Sequence, residues 1–448
     1  MVNTKYRTIL GLAGPAIVDN LLQTLVGFAD TLFVARIGLG AVTAVGVANT
    51  LLAVYLAVFM AIGIGASSII AKCIGAGNLT KARAAARESS RVALFCGILF
   101  GLITLFFARS LLQLMGADHS VLDAGSRYFR IVAIPSVIIA LMIHFGNILR
   151  ASGDTRSPML ISIAVNLIHV GLDYLLIFGI FSFSGLGVTG AATATVIARL
   201  IGVVLLWLVI RNKPLRFSFR RSNYPEQRSL IRQIIALSLP ATAERLIMRL
   251  GQVVYLGMIV RMGTEIYAAN MIAENIETFA YLPGLGLGVA ATILTGRFLG
   301  AGKPATASAY GRQTVTIGIL IMSFSGLLLF LLTPFVAVWF TSEQSAQDMV
   351  TLAMRIDAFF MPPLAIGLVL AGALQGAGDT KSPMYSTAIG MWGIRVLFIY
   401  LLGIKLGMGI AGIWVAQGID LTVKAVFLHY RFKGLFAGKF SSDRLKNE

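Results

Sequence analysis

Charge is what this chain of 448 residues has least of. Asp, Glu, Lys and Arg make up only 12% of it and hydrophobic residues 57%, against roughly 25% and 45–50% in a soluble domain. So few charges exclude an ordinary water-facing enzyme. Cysteine is almost missing too. Cys73 and Cys96 form neither a disulfide framework nor a metal spacing, and both read as packing residues. Low-complexity tracts are absent while Leu, Ile, Val and Phe are plentiful, so the chain is neither disordered nor fibrous. No cleavable leader is evident, because the first apolar stretch, about residues 9–34, is too long and lacks an Ala-x-Ala-like site.

What the chain does have is long apolar runs. A bilayer core needs about 20 apolar residues per helix. Breaks at charges and at Gly/Pro clusters give twelve such runs, at about 9–35, 41–71, 92–115, 128–150, 158–181 and 189–210, then about 233–260, 266–296, 313–340, 354–375, 383–404 and 410–430. The predicted class is therefore an all-α integral membrane protein. Of 37 Lys and Arg, 25 lie on the side shared by the termini and the loops after even-numbered spans, and six lie in the opposite loops. The positive-inside rule places both termini in the cytoplasm of a multi-pass protein of the cytoplasmic membrane. The net charge of +18 is thus a topology signal, and nucleic acid is not an expected partner.

The sequence also repeats at an offset of 225. Pro15-Ala16 returns as Pro240-Ala241, Arg36-x-Gly38 as Arg261-x-Gly263, and Gly75-Ala76-Gly77 as Gly300-Ala301-Gly302. Gly153-Asp154-Thr155-Arg156-Ser157-Pro158-Met159 returns as Gly378-Asp379-Thr380-Lys381-Ser382-Pro383-Met384. Six spans per repeat is an even number, so both halves enter the membrane from the same side. That predicts two six-helix bundles related by a pseudo-two-fold along the membrane normal. The division read from the chain is 1–212 for the first lobe, 213–231 for a basic linker with Pro214 and Pro225, and 232–448 for the second lobe with its tail.

Polar residues inside spans are costly and are functional candidates by default. Asp19, Gln23 and Asp30 fall within about 40° on the first span, and Asn166, His169 and Asp173 within about 60° on the fifth. His144 and Asn147 on the fourth, Thr193 and Thr195 on the sixth, and Arg199 complete the first-lobe set. A desolvated carboxylate short of cations can take up a proton. In the second lobe Asp30 maps onto Tyr255 and Asp173 onto Phe398, so the lobes divide labour. There Asn270, Glu274, Glu277 and Tyr281 share a face, with Arg245 and Arg249 as expected neutralising partners. Arg395, Asp420 and Lys424 form another cluster. Arg130 and Arg355 read as architectural, and Asp357, near the end of its span, as structural.

The Gly-Ala-Gly loops, the paired Gly-Asp-Thr-x-Ser-Pro loops and the Gly14-Pro15 and Leu239-Pro240 openings resemble the multidrug and toxic compound extrusion (MATE) family across essentially the whole chain, in its acidic-first-lobe, DinF-like branch. The resemblance implies a 6+6 bundle that exports a cytoplasmic substrate in exchange for H+ or Na+, with no other cofactor. It implies cation coupling at Asp30, Asp173 and Thr195, with Asn166 and His169 beside them. His169 stands where asparagine is common in that branch, and imidazole suits a hard cation poorly. Met248 and Leu364 occupy the places of another branch's second-lobe carboxylates. Both substitutions favour H+ over Na+. Substrate contacts are expected at Asp30, Gln23, Asp19, Asn147, Tyr255, Glu274 and Glu277, for amphipathic, often cationic small molecules, and the expected state is a monomer in the lipid bilayer.

Other readings weaken on inspection. A lipid-linked precursor flippase would be expected to carry a strongly cationic cavity, whereas the first lobe is acidic. An intramembrane prenyl transferase would need a DDxxD-like cluster, which is missing. Gly185-x-Gly187-x-x-Gly190 follows a membrane span rather than a strand, and the Gly-Ala-Gly loops lack the Lys-Ser/Thr of a phosphate cradle. The four histidines are too dispersed for zinc.

Overall fold

The computed structural model describes residues 2–116, 118–180, 183–217 and 227–444. Part of the basic linker, residues 218–226 with Pro225, lies outside them. The helices are α1 (Val2–Ile37), α2 (Leu39–Gly75), α3 (Leu79–Leu114), α4 (His119–Ala133), α5 (Ser136–Ala151), α6 (Arg156–Phe178) and α7 (Val188–Arg211). They continue with α8 (Gln227–Arg261), α9 (Thr264–Gly300), α10 (Pro304–Ala337), α11 (Gln344–Gly376), α12 (Lys381–Ala388) and α13 (Gly409–Arg444). Past Ala388, α12 widens into π-helical turns at Ile389–Val396 and Ile399–Lys405. A two-residue antiparallel ladder, β1 (Gly179–Ile180) with β2 (Phe183–Ser184), closes the turn after α6. The protein is all-α.

Ten helices are long and apolar enough to cross a membrane, and α4 with α5, bent by 49° at their junction, makes an eleventh. Pro135 sits at that bend. It offers no amide, and although Ile134 before it stays helical, Pro135 itself turns to ψ 40°, so the span is broken there. The twelfth is α8. At 35 residues it is long enough, but Glu244, Arg245 and Arg249 at its centre depress its hydropathy. The chain is therefore a multi-pass membrane protein.

Contacts group the chain into two compact units. The N-unit is Val18–Thr242, and the C-unit is Met1–Ile17 with Ala243–Glu448. Both limits fall inside helices, in α1 and α8, whereas the sequence division follows chain order. Packing explains this. Ile9 and Ala13 are buried with Leu287, Leu294 and Phe432 of the C-unit, and Leu230 and Ile234 are buried with Phe145 and Leu149 of the N-unit. Each first helix starts in one core and ends in the other, and Pro15 and Pro240 stand just before the crossings.

Backbone geometry follows the 225-residue offset. Gly38 and Gly263 have φ of 142° and 129°, Gly77 and Gly302 71° and 69°, and Gly153 and Gly378 92° and 86°. These angles are open to glycine and strained for side chains with a Cβ. The Asp after the third pair performs the same task twice. Asp154 Oδ1 accepts from the Ser157 amide at 3.0 Å and Oδ2 from its hydroxyl at 2.6 Å. Asp379 does so with Ser382 at 3.0 and 2.7 Å. Each also clamps a base from the end of its lobe: Lys213 at 3.3 Å from Asp154, and Arg431 at 3.0 Å from Asp379. Each aspartate is thus both a cap for the following helix and a clamp on a distant base. Burial opposes ionisation of both acids, but the serine donors and the base outweigh it and hold each carboxyl below its ordinary range.

A folded-state carboxyl held low stabilises above the unfolded pKa, near 4, and that contribution fades as pH falls through the folded value. Asp154→Asn with Asp379→Asn keeps the caps and removes both ion pairs. The pair of changes should cost about 1 kcal/mol at pH 7, read as a lower melting temperature in detergent, with the gap from wild type closing below about pH 4. A gap constant to pH 3 would show that the ionised clamps contribute nothing.

Candidate functional site

The second half of α1 brings two separate polar groups into the N-unit. Asp19, 2% exposed, forms an ion pair with Arg150 of α5. Gln23 Nε2 donates to Asp19 Oδ1 at 3.1 Å, and Arg150 donates to Asn147 Oδ1 at 3.2 Å. Gly63 on α2 makes room, since a Cβ there would meet Asn147 Nδ2 at 1.9 Å. Asp19, Gln23 and Asn147, all expected as substrate contacts, thus meet one another around Arg150. Asp30 is not among them. Arg150 had counted only toward topology, because nothing in the local sequence links residue 150 to residue 19.

Three helical turns on, Asp30 reaches α6. His169 Nδ1 lies 3.9 Å from Asp30 Oδ1, and His169 Nε2 lies 3.5 Å from Asp173 Oδ2. Thr195 Oγ1 of α7 is 3.2 Å from the same Nε2 and donates to the Ala191 carbonyl at 2.9 Å. One ligand atom from each of Asp30, His169 and Asp173 lies within 4.8 Å of the others. The expected coupling residues therefore converge, and Asn166, one turn before His169, borders them. The group is short of donors. Asp30 Oδ1, both Asp173 oxygens and the amide nitrogen of Asn166 are buried without a hydrogen-bond partner, although the two carboxyls are close enough for one to donate to the other if protonated. Tyr128 of α4 and Arg199 of α7 also face the acids. Arg199 is the only base there among the described residues.

Such a group can accept one small cation. A proton would turn one carboxylate into the missing donor. A metal would have to accommodate imidazole nitrogen among three oxygens, a mixed set that a hard cation binds poorly.

The C-unit is built differently. Tyr255 Oη and Asn270 Nδ2 donate to Glu274 Oε1 at 3.2 and 3.0 Å, and Gln417 Nε2 donates to Glu277 Oε1 at 3.0 Å. Arg395, on the π-helical segment, and Lys424 both lie 2.9 Å from Asp420 Oδ2. The base facing Glu277 is Arg395, whereas Arg245, the partner expected from sequence, faces Glu244 and Tyr281. Arg249 instead bonds Gln252 at 3.0 Å. Asp357 is the residue that sequence reasoning undervalued. It is 1% exposed and faces Glu277 and Arg395. Its spacing carried a signal, because Met354, Asp357, Met361 and Leu364 form one buried helical stripe.

Polar groups at membrane depth in a multi-pass helical frame are the arrangement a membrane transporter needs. The MatE family model matches residues 15–175 and again 240–401, so the chain belongs to the MatE family. It is 30% identical over 425 residues to a probable multidrug resistance protein NorM of Thermotoga maritima, covering 94% of this chain and 91% of that one. An uncharacterized transporter, YisQ, of Bacillus subtilis is 28% identical, with 95% and 94% covered. Among solved structures, a MOP superfamily transporter from Pyrococcus furiosus superposes with a TM-score of 0.89 at 24% identity, covering 97% of this chain and 96% of that one. A MATE crystal structure in complex with MaD3S gives 0.91 at 24% identity, covering 98% and 97%.

Breaking the Asp19–Arg150 pair from one side strands a buried charge. Arg150→Ala should therefore destabilise the folded protein by about 3–5 kcal/mol, while Arg150→Ala with Asp19→Asn should recover much of that loss. Thermal unfolding of the single and double variants decides it, and no recovery in the double would show the pair is not coupled.

Proposed function

We propose that this chain is a secondary active exporter of amphipathic, often cationic small molecules, driven by proton antiport. The observation that carries this reading is the donor-poor Asp30–His169–Asp173 group. Two neighbouring carboxyl groups, with Asp30 Oδ1 and both Asp173 oxygens lacking a donor, are suited to sharing a proton, and gaining it removes charge that would attract a cation. With both termini cytoplasmic, protonation from outside favours the state that releases substrate, and deprotonation inside restores affinity. Thr195 and Asn166 tune the pair. Gln23, exposed beside the Asp19–Arg150–Asn147 group, and Tyr255, Glu274 and Glu277 in the C-unit are the proposed substrate contacts. Sodium ranks second because His169 stands among the oxygens. The probable multidrug resistance role named for the Thermotoga maritima relative supports the substrate class.

Each proton moved down one pH unit supplies about 1.4 kcal/mol. In proteoliposomes a pH gradient should drive efflux of a cationic dye, and a Na+ gradient at uniform pH should not. Asp30→Asn should reduce the pH-driven rate by about tenfold or more. Efflux that survives Asp30→Asn, or that follows Na+ alone, would overturn the proton role.

A further inference from the structure

The buried cluster around Arg395 in the C-unit holds more acid than the bases facing it can neutralise. Around Arg395 stand Glu274 and Glu277 from α9, Asp357 from α11 and Asp420 from α13. The bases facing this group are Arg395 and Lys424, and both are already bound to Asp420 Oδ2. Neutral donors satisfy the two glutamates: Tyr255 from α8 and Asn270 serve Glu274, and Gln417 from α13 serves Glu277. The facing stretch of α10, after Gln313, carries no titratable residue, and Arg355 of α11 is exposed with its guanidinium 5.3 Å from the Phe330 ring. Asp357 is left over. Its Oδ2 is buried with no partner, the side chain is 1% exposed, and the groups it faces are another carboxylate, Glu277, and Arg395, whose guanidinium is already bound to Asp420.

A buried carboxylate oxygen with no donor, beside a base already committed to another acid, is costly for a membrane protein to carry. We propose that Glu277 and Asp357 hold an exchangeable proton of their own, so that the transporter carries one proton site in each unit. The proton would sit on a carboxyl oxygen of this pair and supply the O–H that Asp357 lacks. The place differs from that of Leu364, two turns further along α11. The proposal rests on the proton-antiport reading, with Asp30 as the first site.

Trp414, 1% exposed with an unpartnered Nε1, lies one turn before Gln417 and reports on this core. The protein carries four tryptophans. With Trp207, Trp339 and Trp392 replaced by Phe, Trp414 emission should show a pH-dependent step. That step should survive Asp30→Asn and disappear in Asp357→Asn, while Asp357→Glu should shift its midpoint and so guard against simple misfolding. In liposomes at zero membrane potential, an opposing tenfold gradient of a neutral-form substrate should be balanced by about half a pH unit in wild type, as two protons require, and by about one unit in Asp357→Asn. A step lost in Asp30→Asn or unaltered by Asp357→Asn overturns the second site, as does a wild-type balance point at one unit. If pH drives no efflux in wild type, the antiport reading fails, and the Trp414 step still decides whether the pair binds a proton.

Discussion

A charge buried at membrane depth is tolerable only with a partner, and the interior of this protein is organised around that cost. Water is not there to solvate a carboxylate, so each acid must find a base, a donor or a proton. Asp19 finds Arg150, Asp420 takes both Arg395 and Lys424, and Glu244 accepts from Thr387 at 3.3 Å. Glu274 accepts from Tyr255 and Asn270, and Glu277 from Gln417. What still lacks a donor is a short set of carboxylate oxygens, Asp30 Oδ1, both of Asp173, Asp357 Oδ2 and Asp420 Oδ1. Asp420 is held by two bases, so the proposed exchangeable sites fall on the others.

The two halves show which features the repeat preserved and which it released. Glycines with positive φ recur at the same offset, and so does the aspartate that caps a helix and clamps the last helix of its lobe. These belong to the frame, where backbone geometry leaves little choice. Membrane-depth chemistry diverged. Tyr255 in place of the first acid donates to Glu274, turning a charge-bearing position into a donor for a different acid. Phe398 in place of Asp173 leaves the second unit to build its polar group from α9, α11 and α13 instead.

Much of this was legible in the chain. Helical periodicity put Asp30 on a polar stripe and Asn166, His169 and Asp173 on another, and the fold brings those stripes together. All twelve spans follow from apolar runs, and eleven of them, α8 excepted for its central charges, keep the length and hydropathy of a span among the described residues. Tertiary pairings were not legible. Arg150 meets Asp19 across 131 residues, and Arg395 displaces the local candidate Arg245, because helix faces rather than chain proximity decide which base arrives. Asp357 was read by its nearness to a span end, when its spacing from Met354 and Met361 fixed its burial. The bend at Pro135 shows the same limit in reverse, since a proline in the sequence marks a break without saying how far the axis turns.

The helix that bears Asp30 is also the one divided between two cores. Residues of α1 up to Ile17 are packed with the C-unit, and those from Val18 belong with the N-unit. Pro15 removes the backbone hydrogen bond to Gly11 immediately before that change of company, which lowers the cost of bending there. Ile9 and Ala13 are wholly buried, so the first half of the helix is held firmly. The second half is held by the Asp19–Arg150 pair, by Phe33 and Val34 packed into the N-unit core, and by the contact of Asp30 with His169 and Asp173. Of these two polar attachments, one is a salt bridge between opposite charges, and the other brings two carboxyl groups together. On the proposed reading, a proton shared by Asp30 and Asp173 would do more than cancel charge. It would turn one of α1's polar attachments from repulsive to cohesive, and on this physical basis an ion too small to push anything could still bias the position of a helix.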